Sequence, residues 1–592
     1  MKKIKFLLFL FIILFHSSTR AQKISYFKIK PPNYTNHKLD EIVLPFWDDF
    51  SSSKKLDDKF WSSSENVSIK DFDNINAPSK NIVLFDGIDK NGLPYDNSGG
   101  YGTSDVLISD VINMKNLSSA DSVFLSFFWR FNINGEYPDY EDTIFVDFLN
   151  DKNLWETVWY KNGGSLNKKN KFKFEGIYLN QKFLHESFQF KIYNKGNSKG
   201  PFDSWLIDYV YVDKDRSRND STFIDRTIVH EGNKIFKDLI SVPLDHLSYS
   251  ENYSDTITIK IKNLDKNIHP LNYSVEADLP SENLQFKYYD KEPLKPILNG
   301  LEEREIKINP INLSEFKSKS DSLIINFLFY IDSGDSTLFN KDLLVNDSSR
   351  FSFMFSDFYS YDDGEAEYAA GLNQKNSELV LQYESFTQDT LTDIQIYFPE
   401  NIYSTYTNQV EIMIYENLKN DGKILSSQFI EPEFNGRFSE YKLSKPIIVS
   451  DTFYIGFRQL ENSFLPIGLD KNNNTSDKIF YKIDNSWISN DIVRGSIMIR
   501  PVFGKSNYVL TKINSLEQEK TVKVFPNPSS GIYNLSKFIQ KARLYDINGK
   551  FLKSFRDIKE IDIRNLKNGV YIFIIEDKNM FQKIKLVKTE TI

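Results

Sequence analysis

The sequence predicts an all-β, multidomain chain of jelly-roll and immunoglobulin-like sandwiches that ends in a small C-terminal β-sandwich. Its 592 residues include 49 Phe and 32 Tyr, residue types that favour pleated, half-buried surfaces. Short segments of alternating hydrophobicity recur about every 8–12 residues, with turn-forming residues between them. Runs of Ala, Leu and Glu at helical spacing are scarce. At roughly 100–200 residues per domain, a chain of this length holds about four domains.

Residues 1–21 have the pattern of a signal peptide. Lysines precede the apolar run 6–15, and Ala21 offers a cleavage site with the small residue Thr19 two positions earlier. The run is too short to span a bilayer, and no later run reaches the length of about 18 apolar residues that a spanning helix needs. We therefore expect an exported chain without a transmembrane helix in its mature form. The alternative is that this run is a membrane anchor or a buried helix.

Composition excludes several classes of chemistry. The chain has no cysteine, so it has no disulfide framework, no thiolate zinc site, no Cys nucleophile and no lipidated N-terminal Cys. Its formal net charge is −8, and removal of residues 1–21 with their four basic residues changes this to −12. A mature chain this acidic is a poor general nucleic-acid binder, so we expect no nucleic-acid partner.

Residues 40–213 form the first predicted domain, which holds six of the seven tryptophans. Turn-forming Asn, Gly, Asp and Pro separate its apolar segments, which favours an antiparallel, jelly-roll sandwich. The segments predicted as strands are 121–131, 142–149, 154–160, 186–194 and 205–212.

Two further sandwiches and a linker are predicted after this domain. Residues 214–350 contain no Trp and alternate in 254–263 and 321–331, which predicts an immunoglobulin-like sandwich. Residues 351–504 are predicted to form a second jelly-roll-like sandwich. Mixed charge without periodicity predicts a linker at 505–520.

Residues 521–592 form a short last module that is nearly all strand. Asn548-Gly549 and Asn568-Gly569 are pairs that accept the positive φ angles of tight hairpin turns. The module carries 14 Lys and Arg against 7 Asp and Glu, a net of +7, which leaves −19 on the rest of the mature chain. Opposite charge suits docking to a different partner from the one that the body meets, although an ordinary solvated basic sheet face explains the charge as well.

Four motifs of this module follow one another as "VKVFPNPSSGIYNL", "ARLYDINGKFL", "IDIRNLKNGVYIFII" and "QKIKLVK". In this order and spacing they closely resemble the type A C-terminal sorting domain of the type IX secretion system, found in Bacteroidota. The resemblance implies a cargo that crosses the inner membrane by its signal peptide and the outer membrane by this domain, with the translocon and a sortase as partners. It also implies removal of the domain, which leaves the product secreted or attached to surface lipopolysaccharide. The residues that match the sorting signal are Pro526, Asn527, Pro528, Gly531, Asn548, Gly549, Gly569 and Tyr571.

The first domain has a looser resemblance of its own. "FWDDFSS" near its start and "FQFKIYNKGNSKGPFDSWLIDYVYV" at its end look like the MAM and related adhesin-type jelly rolls of surface proteins. This resemblance implies adhesion or ligand binding.

Four carboxylates at the two ends of this sandwich are a candidate Ca²⁺ site, formed by Asp48, Asp49, Asp203 and Asp208. The terminal strands of such sandwiches usually pair, so we expect these carboxylates to converge on a hard cation. We expect no other cofactor. The alternative is that these residues cap turns or face solvent.

Tryptophans of the same domain are candidate sugar-binding residues, because aromatic rings stack on pyranose faces. The candidates are Trp47, Trp129, Trp155 and Trp205. They fall within apolar runs of the sequence, so the alternative is that most of them belong to the core.

Two catalytic motifs match only in part. "GNSKG" fits the G-x-S-x-G pattern, but Pro201 and a strand follow Ser198 where a nucleophile elbow has a helix. "HESFQ" begins like a zinc-protease helix, yet Gln189 stands where the second His is required, so His185 is predicted to be structural.

A third partial match is the segment 470–478, "DKNNNTSDK", which has oxygen ligands at alternate positions as in a calcium loop. An EF-hand loop requires Gly at its sixth position and Glu at its twelfth, where this chain has Thr475 and Tyr481. The segment is therefore predicted to be a polar turn.

These observations favour a non-enzymatic surface or secreted protein that binds glycans or proteins through its sandwiches. No catalytic triad, metal set or carboxylate pair is supported by the sequence. The alternative is a secreted hydrolase, either a peptidase or a glycosidase, whose catalytic residues the sequence does not reveal.

Overall fold

The computed structural model describes most of the chain. The described residues are 25–28, 42–53, 55–63, 67–71, 76–89, 95, 100–131, 137–164, 171–197, 203–230, 234–252, 256–280, 284–309, 322–334, 341–400, 409–483, 486–504, 522–547, 550–577 and 580–589. Within them the chain forms 36 strands whose pairings in the sheets are all antiparallel, so the predicted all-β, multidomain fold is confirmed. Short 3₁₀ helices lie at Ser119–Asp121, Gln181–Phe183, Leu244–Asn252, Lys341–Asp347 and Ser476–Lys478. No helix in this described part is both long and apolar enough to cross a membrane.

The chain divides into two compact units, Met1–Asn507 and Tyr508–Ile592. The first sandwich of the larger unit consists of two sheets. The six-stranded sheet has the order Lys173–Tyr178, Phe124–Phe131, Trp205–Asp213, Ile82–Phe85 and Ser68–Lys70, with Phe46–Asp48 also paired to Trp205–Asp213. The five-stranded sheet has the order Trp61–Ser63, Tyr101–Ser109, Phe190–Asn197, Thr143–Leu149 and Trp155–Asn162. Inward side chains of both sheets share one buried core that includes Phe127, Phe148 and Phe190.

The second sandwich follows along the chain. Its three-stranded sheet has the order Arg226–His230, Ile257–Asn263 and Glu303–Ile308. Its four-stranded sheet has the order Leu284–Pro293, Asn272–Leu279, Leu323–Asp332 and Ser348–Phe355. The boundary predicted between residues 350 and 351 falls inside the last of these strands, which pairs with Leu323–Asp332 along its whole length.

The third region of the larger unit contains three sheets. The six-stranded sheet has the order Lys423–Ile430, Val410–Asn417, Thr452–Arg458, Glu378–Glu384, Ile479–Lys482 and Trp487–Ser489. The three-stranded sheet has the order Arg437–Val449, Asp389–Phe398 and Ile499–Phe503. The four-stranded sheet has the order Ser25–Lys28, Tyr368–Leu372, Leu465–Asp470 and Ser496–Ile497. The core of this third region is continuous with the core of the second sandwich, because Phe353 of the second sandwich and Phe503 of the third region belong to one buried cluster.

Aromatic packing fixes the first sandwich to the segment that follows it. Trp47 and Tyr209, on the outer face of the six-stranded sheet of the first sandwich, pack with Leu264 of the second sandwich. Arg216 of the connecting segment lies between two rings, with its guanidinium carbon 4.3 Å from the Tyr211 centroid and 5.6 Å from that of Phe223. Apolar packing therefore joins the two sandwiches at this point.

The smaller unit is a β-sheet structure built around a long hairpin. Its strands are Val524–Phe525, Ile532–Asp546, Phe551–Asp562, Gly569–Asp577 and Met580–Lys588. Ile532–Asp546 pairs with both Phe551–Asp562 and Gly569–Asp577, and Gly569–Asp577 pairs with Met580–Lys588. Alternate residues such as Tyr533, Leu544 and Phe573 form a buried core of its own.

Candidate functional sites

The outer face of the five-stranded sheet carries a row of aromatic side chains. Strand register places Tyr193 opposite Phe145, and Phe145 opposite Tyr160. The neighbours Ile144 and Ile192 point into the buried core. Because successive side chains of a strand alternate between the two faces, the three rings lie on the outer face.

A β-bulge at Val158 preserves this arrangement on the edge strand. Val146 pairs with Trp159 and Asp147 pairs with Thr157, so one extra residue, Val158, stands between them. Both Val158 and Trp159 pack against the inner core. Because of this bulge, the side chains of Thr157 and Tyr160 both point to the outer face.

The rings of this face lie close to one another and to a lysine. The centroids of Phe145 and Tyr193 are 5.0 Å apart and their planes are nearly parallel at 12°. The Phe145 and Tyr160 centroids are 6.1 Å apart. Lys191 Nζ lies 4.7 Å from the Trp155 ring centroid and 5.0 Å from that of Tyr193. Tyr160 is 62% exposed and Trp155 is 37% exposed, so ring surface remains open to solvent.

A carboxylate stands among these rings. Thr157 Oγ1 donates a hydrogen bond of 2.7 Å to Asp147 Oδ1, and the Tyr193 hydroxyl donates to the same oxygen at 3.4 Å. Lys191 Nζ is 3.2 Å from Asp147 Oδ2. The aromatic face, as we name it, consists of Phe145, Asp147, Trp155, Thr157, Tyr160, Lys191 and Tyr193. It combines flat rings with fixed donors and acceptors, which are the groups that bind polyhydroxylated ligands.

Of the four candidate tryptophans, one belongs to this face. Trp129 and Trp205 are 1% and 0% exposed and lie in the core with their rings 6.0 Å apart. Trp47 is also buried, with its ring 5.6 Å from that of Tyr209. The core alternative therefore describes three of the four, and Trp155 alone keeps an open ring.

The sequence-based prediction names the tryptophan of this face and none of its other aromatic residues. The signal was present in the alternation of "TIFVDFL" and "FKIYNKG", where every second residue is on the same face. Phe145 and Tyr193 occupy such positions. Their contact across the sheet depends on strand order, which the sequence alone does not provide.

Two of the carboxylates predicted to bind Ca²⁺ close turns instead. Asp48 Oδ1 accepts a hydrogen bond of 2.8 Å from the Phe50 backbone N–H, and its Oδ2 accepts one of 2.7 Å from Trp61 Nε1. Asp49 Oδ1 accepts a hydrogen bond of 3.0 Å from the Ser51 backbone N–H. This is the turn-capping alternative.

The other two carboxylates have different hydrogen-bond partners. Asp208 accepts hydrogen bonds of 2.9 Å from both the backbone N–H and the hydroxyl of Ser79. Asp203 is hydrogen-bonded to Asp142, whose pKa is raised mainly by burial. Among the described residues, no three acidic or histidine side chains are placed to hold a metal ion. The expected convergence of all four carboxylates is therefore not seen.

Asp49 instead takes part in a buried network that joins three parts of the larger unit. Asn346 Nδ2 donates hydrogen bonds to Asp49 Oδ2 at 2.8 Å and to Asp225 Oδ2 at 3.0 Å. Tyr209 donates its hydroxyl proton to Asp225 Oδ2 at 2.7 Å. Burial, followed by the charge of Asp49, raises the pKa of Asp225 to about 7, and burial raises that of Asp347 to about 8.

We expect this network to make the larger unit less stable as pH rises. The pKa values of Asp225 and Asp347 in the folded chain lie above the ordinary value of 3.8, so the folded state holds protons that the unfolded state releases. Their contribution to stability is complete below about pH 4 and is lost as pH rises through about 7–8. Calorimetry of the chain without residues 1–21 should show a falling Tm across this range. Asp225→Asn should flatten the curve, and an unchanged slope in that variant would contradict the assignment.

Residues of the partial catalytic and calcium motifs are hydrogen-bonded to backbone groups of the larger unit. His185 Nε2 lies 3.1 Å from the Leu149 carbonyl oxygen. Asp470, at the start of the segment 470–478, accepts hydrogen bonds from the backbone N–H groups of Asn472 at 2.7 Å and Asp363 at 2.9 Å. Ser198 lies outside the described residues.

The "FPNPSSG" segment of the smaller unit binds the last strand through its asparagine. Asn527 Nδ2 donates a hydrogen bond of 2.6 Å to the Lys585 carbonyl, and Asn527 Oδ1 accepts one of 2.8 Å from the Val587 N–H. The side-chain amide thus acts as one more peptide group beside the strand. Pro526 and Pro528 stand on either side of this residue.

The other residues of the motif also close the module. Gly531 has a φ of +124°, and a Cβ atom at this position would lie 2.9 Å from the Arg564 Cα and from the Lys588 Cε. Lys588 Nζ donates a hydrogen bond of 2.9 Å to the Arg564 carbonyl. Tyr571 donates its hydroxyl proton to the Lys567 carbonyl at 2.5 Å. The sequence motif is thus largely a set of contacts that hold the module together.

The hairpin residues Asn548 and Gly549 of the expected sorting signal lie outside the described residues. Gly569 begins the strand that ends at Asp577.

Asn527→Ala should destabilise the smaller unit by about 1–2 kcal/mol, because two hydrogen bonds to the last strand are lost. Its thermal unfolding, followed by calorimetry in the full chain, is the measurement. Asn534→Ala is a matched control in the same unit, since the Asn534 side chain is exposed. Equal shifts in the two variants would show that the contacts to the last strand contribute nothing specific.

The comparisons with known proteins identify this C-terminal module. Residues 523–589 match the family described as "Secretion system C-terminal sorting domain". The chain is therefore a type IX secretion cargo that is exported across the outer membrane to a secreted or cell-surface location. The sorting domain implies an interaction with the type IX secretion machinery. No curated protein matches the chain.

Two solved structures resemble the chain remotely. The crystal structure of tripeptidyl peptidase 2 is 8% identical, with 86% of this chain and 30% of that chain covered and a TM-score of 0.12. The structure of the CBM32-1, CBM32-2 and M60 catalytic domains from Clostridium perfringens ZmpB is 9% identical, with 88% of this chain and 55% of that chain covered and a TM-score of 0.14. The chain thus spans about a third and about half of the lengths of these two proteins. At such TM-scores neither similarity bears on the activity of this protein.

Proposed function

We propose that the exported chain is a non-enzymatic surface or secreted protein that binds carbohydrate through the aromatic face. The observation that carries this proposal is the set of four rings on one side of an open sheet, with a fixed carboxylate and a lysine between them. Exposed apolar patches bordered by polar residues are typical of ligand-binding surfaces. Adhesion by this route agrees with the MAM-like resemblance of the same domain.

Carbohydrate is the ligand class that suits these groups best. The faces of Tyr160 and Trp155 are flat and partly exposed, so they can pack against the C–H groups of a pyranose ring. Lys191 supplies donors, and Asp147 and the Thr157 hydroxyl oxygen supply acceptors, for sugar hydroxyls. Both kinds of group occur together on a rigid sheet, which limits the entropy lost on binding.

The remaining steps of export belong to the same proposal. The chain comes from a member of the Bacteroidota, and residues 1–21 carry it across the inner membrane. A sortase then removes the sorting domain, and the body is released or attached to surface lipopolysaccharide.

The alternative function is a secreted hydrolase, a peptidase or a glycosidase. Asp142 and Asp203 form a carboxyl pair in the first sandwich, but they are hydrogen-bonded to each other. The two carboxyls of a glycosidase stand about 5 Å or more apart, so that one acts on each side of the scissile bond. This pair therefore does not provide the separated carboxyls that a glycosidase requires.

A glycan array probed with the chain without residues 1–21 tests the proposal. The matched variants are Trp155→Ala/Tyr160→Ala and, as a control, Tyr249→Ala, which removes an exposed ring from a different part of the chain. We expect saturable binding that weakens about tenfold or more in the double variant and stays unchanged in the control. Peptidase and glycosidase assays run beside it should be negative. Hydrolysis without stable binding would overturn the proposal.

A further inference from the structure

One strand of the sorting domain is apolar on both of its faces. Tyr571, Phe573 and Ile575 of the strand Gly569–Asp577 belong to the buried core of the domain. Val570, Ile572 and Ile574 alternate with them and therefore point to the opposite face. None of these three is part of a buried cluster in the described residues. They form a half-exposed aliphatic strip in the middle of the sheet.

Basic side chains border this strip on the neighbouring strands. Lys585 pairs with Ile572, and Lys583 pairs with Ile574, on one side. On the other side Ile574 pairs with Arg543, and Ile572 pairs with Tyr545. Lys583 and Lys585 are exposed. We name the six residues Val570, Ile572, Ile574, Arg543, Lys583 and Lys585 the strip face.

The pattern is that of an interface rather than of a solvated sheet face. A continuous apolar run such as "VYIFII" is typical of a strand that is covered on both sides. An apolar centre with a polar rim is the usual anatomy of a protein–protein contact. Here the rim is basic and the whole module has a net charge of +7, so the complementary surface is acidic.

We propose that the strip face is the surface through which the sorting domain docks onto a folded protein of the secretion machinery. That protein presents an acidic rim around an apolar centre. The domain has to meet such a partner, because it directs export, and the strip face supplies apolar contact area together with charge complementarity. This inference is independent of carbohydrate binding by the aromatic face.

A lipid surface and a second copy of the chain fit the strip face less well. The module contains no tryptophan, and Tyr545 is the one aromatic residue among those that pair with the strip, whereas surfaces that enter the membrane interface are enriched in Trp and Tyr. A symmetric contact between two strip faces would bring the basic rims of both copies together, which is unfavourable.

The test is export of the full chain from its native bacterium, measured by immunoblot of the periplasmic, surface and medium fractions. The variants are Lys583→Glu/Lys585→Glu, which reverses the rim, and Ile572→Thr, which keeps a β-branched residue but removes apolar contact. The control is Lys559→Glu/Lys567→Glu, which changes the net charge equally at exposed positions outside the strands of the strip face. We expect exported protein to fall about tenfold or more in the first two variants and periplasmic protein to rise, with the control unchanged.

Purified protein separates a docking defect from a folding defect. Both strip-face variants should have the same Tm as the control variant. If one of them has a lower Tm, the export of the other, correctly folded variant is the result that tests the proposal. A crosslinker placed at position 572 should react with a protein of the outer-membrane secretion machinery, and one at position 559 should not. Normal export of both folded variants would overturn the proposal, as would an equal loss in the control. Binding of the full chain to vesicles of POPC and POPG at about 3:1 would also overturn it, if that binding requires Lys583 and Lys585. A further contrary result would be a full chain that forms dimers in solution while the strip-face variants are monomers.

Discussion

Deletion of residues 522–592 is expected to abolish export and to leave a folded body in the periplasm. The sorting domain has its own sheet and its own buried core, so its removal takes no residue from the core of the larger unit. The predicted signal peptide remains and still carries the chain across the inner membrane. Fractionation with immunoblotting against the body measures the effect.

The control for this deletion is thermal unfolding of the periplasmic product. We expect its Tm to match that of the larger unit in the full chain, because the two units unfold as separate cores. Recovery of the truncated body from the medium in normal amounts would contradict the role of the domain. A product that is degraded in the periplasm would instead show that the larger unit depends on the sorting domain for folding.

Arg500→Met is expected to destabilise the larger unit by about 3–5 kcal/mol, because it leaves a buried carboxylate without its cation. The Arg500 Nε lies 3.1 Å from both carboxylate oxygens of Asp362. Its guanidinium carbon is 3.8 Å from the Phe438 ring centroid and 4.7 Å from that of Phe358. The pair is buried and joins the segment around Asp362 to the strand Ile499–Phe503.

Urea unfolding of matched variants measures this effect. Arg437→Met removes an exposed arginine from a nearby strand and should change the free energy of unfolding very little. Asp362→Asn combined with Arg500→Met should cost less than the sum of the single changes, because neither charge is then left alone in the core. Additive losses would show that the two groups do not act as a pair.

The elements that could be predicted from sequence are those with a local signal. The alternation and aromatic content of "DTIFVDFL" indicate a strand, and Thr143–Leu149 is one. The order of short motifs after residue 521 identifies the sorting domain, because turn residues and apolar strands occur there at fixed spacing. In both cases a few consecutive residues contain the information.

The features that could not be predicted depend on pairing between distant segments. Trp129 and Trp155 both stand in apolar segments, and only the order of strands puts one in the core and the other on the surface. Asp208 bonds to Ser79, which is 129 positions away, so its environment has no local signal. The strand Ser348–Phe355 likewise joins the second sandwich because its long-range partner lies there.

The roles of the Asp49 and Asn527 side chains show the same division. Asp49 Oδ1 accepts a hydrogen bond from the backbone N–H of Ser51, a local turn contact that the sequence suggests. Asp49 Oδ2 accepts a hydrogen bond from Asn346 of the second sandwich, which the sequence does not indicate. Asn527 was identified from the motif, yet its contact with the strand Met580–Lys588 required the fold. A motif can therefore name a residue before the structure explains what it holds.

The central claim is that the C-terminal sorting domain directs export and is then removed from the larger unit. Intact mass spectrometry of the protein recovered from the cell surface and the medium tests this claim most directly. We predict a mature C-terminus within residues 505–520, with the sorting domain absent. An exported chain that still ends at Ile592 would contradict this claim.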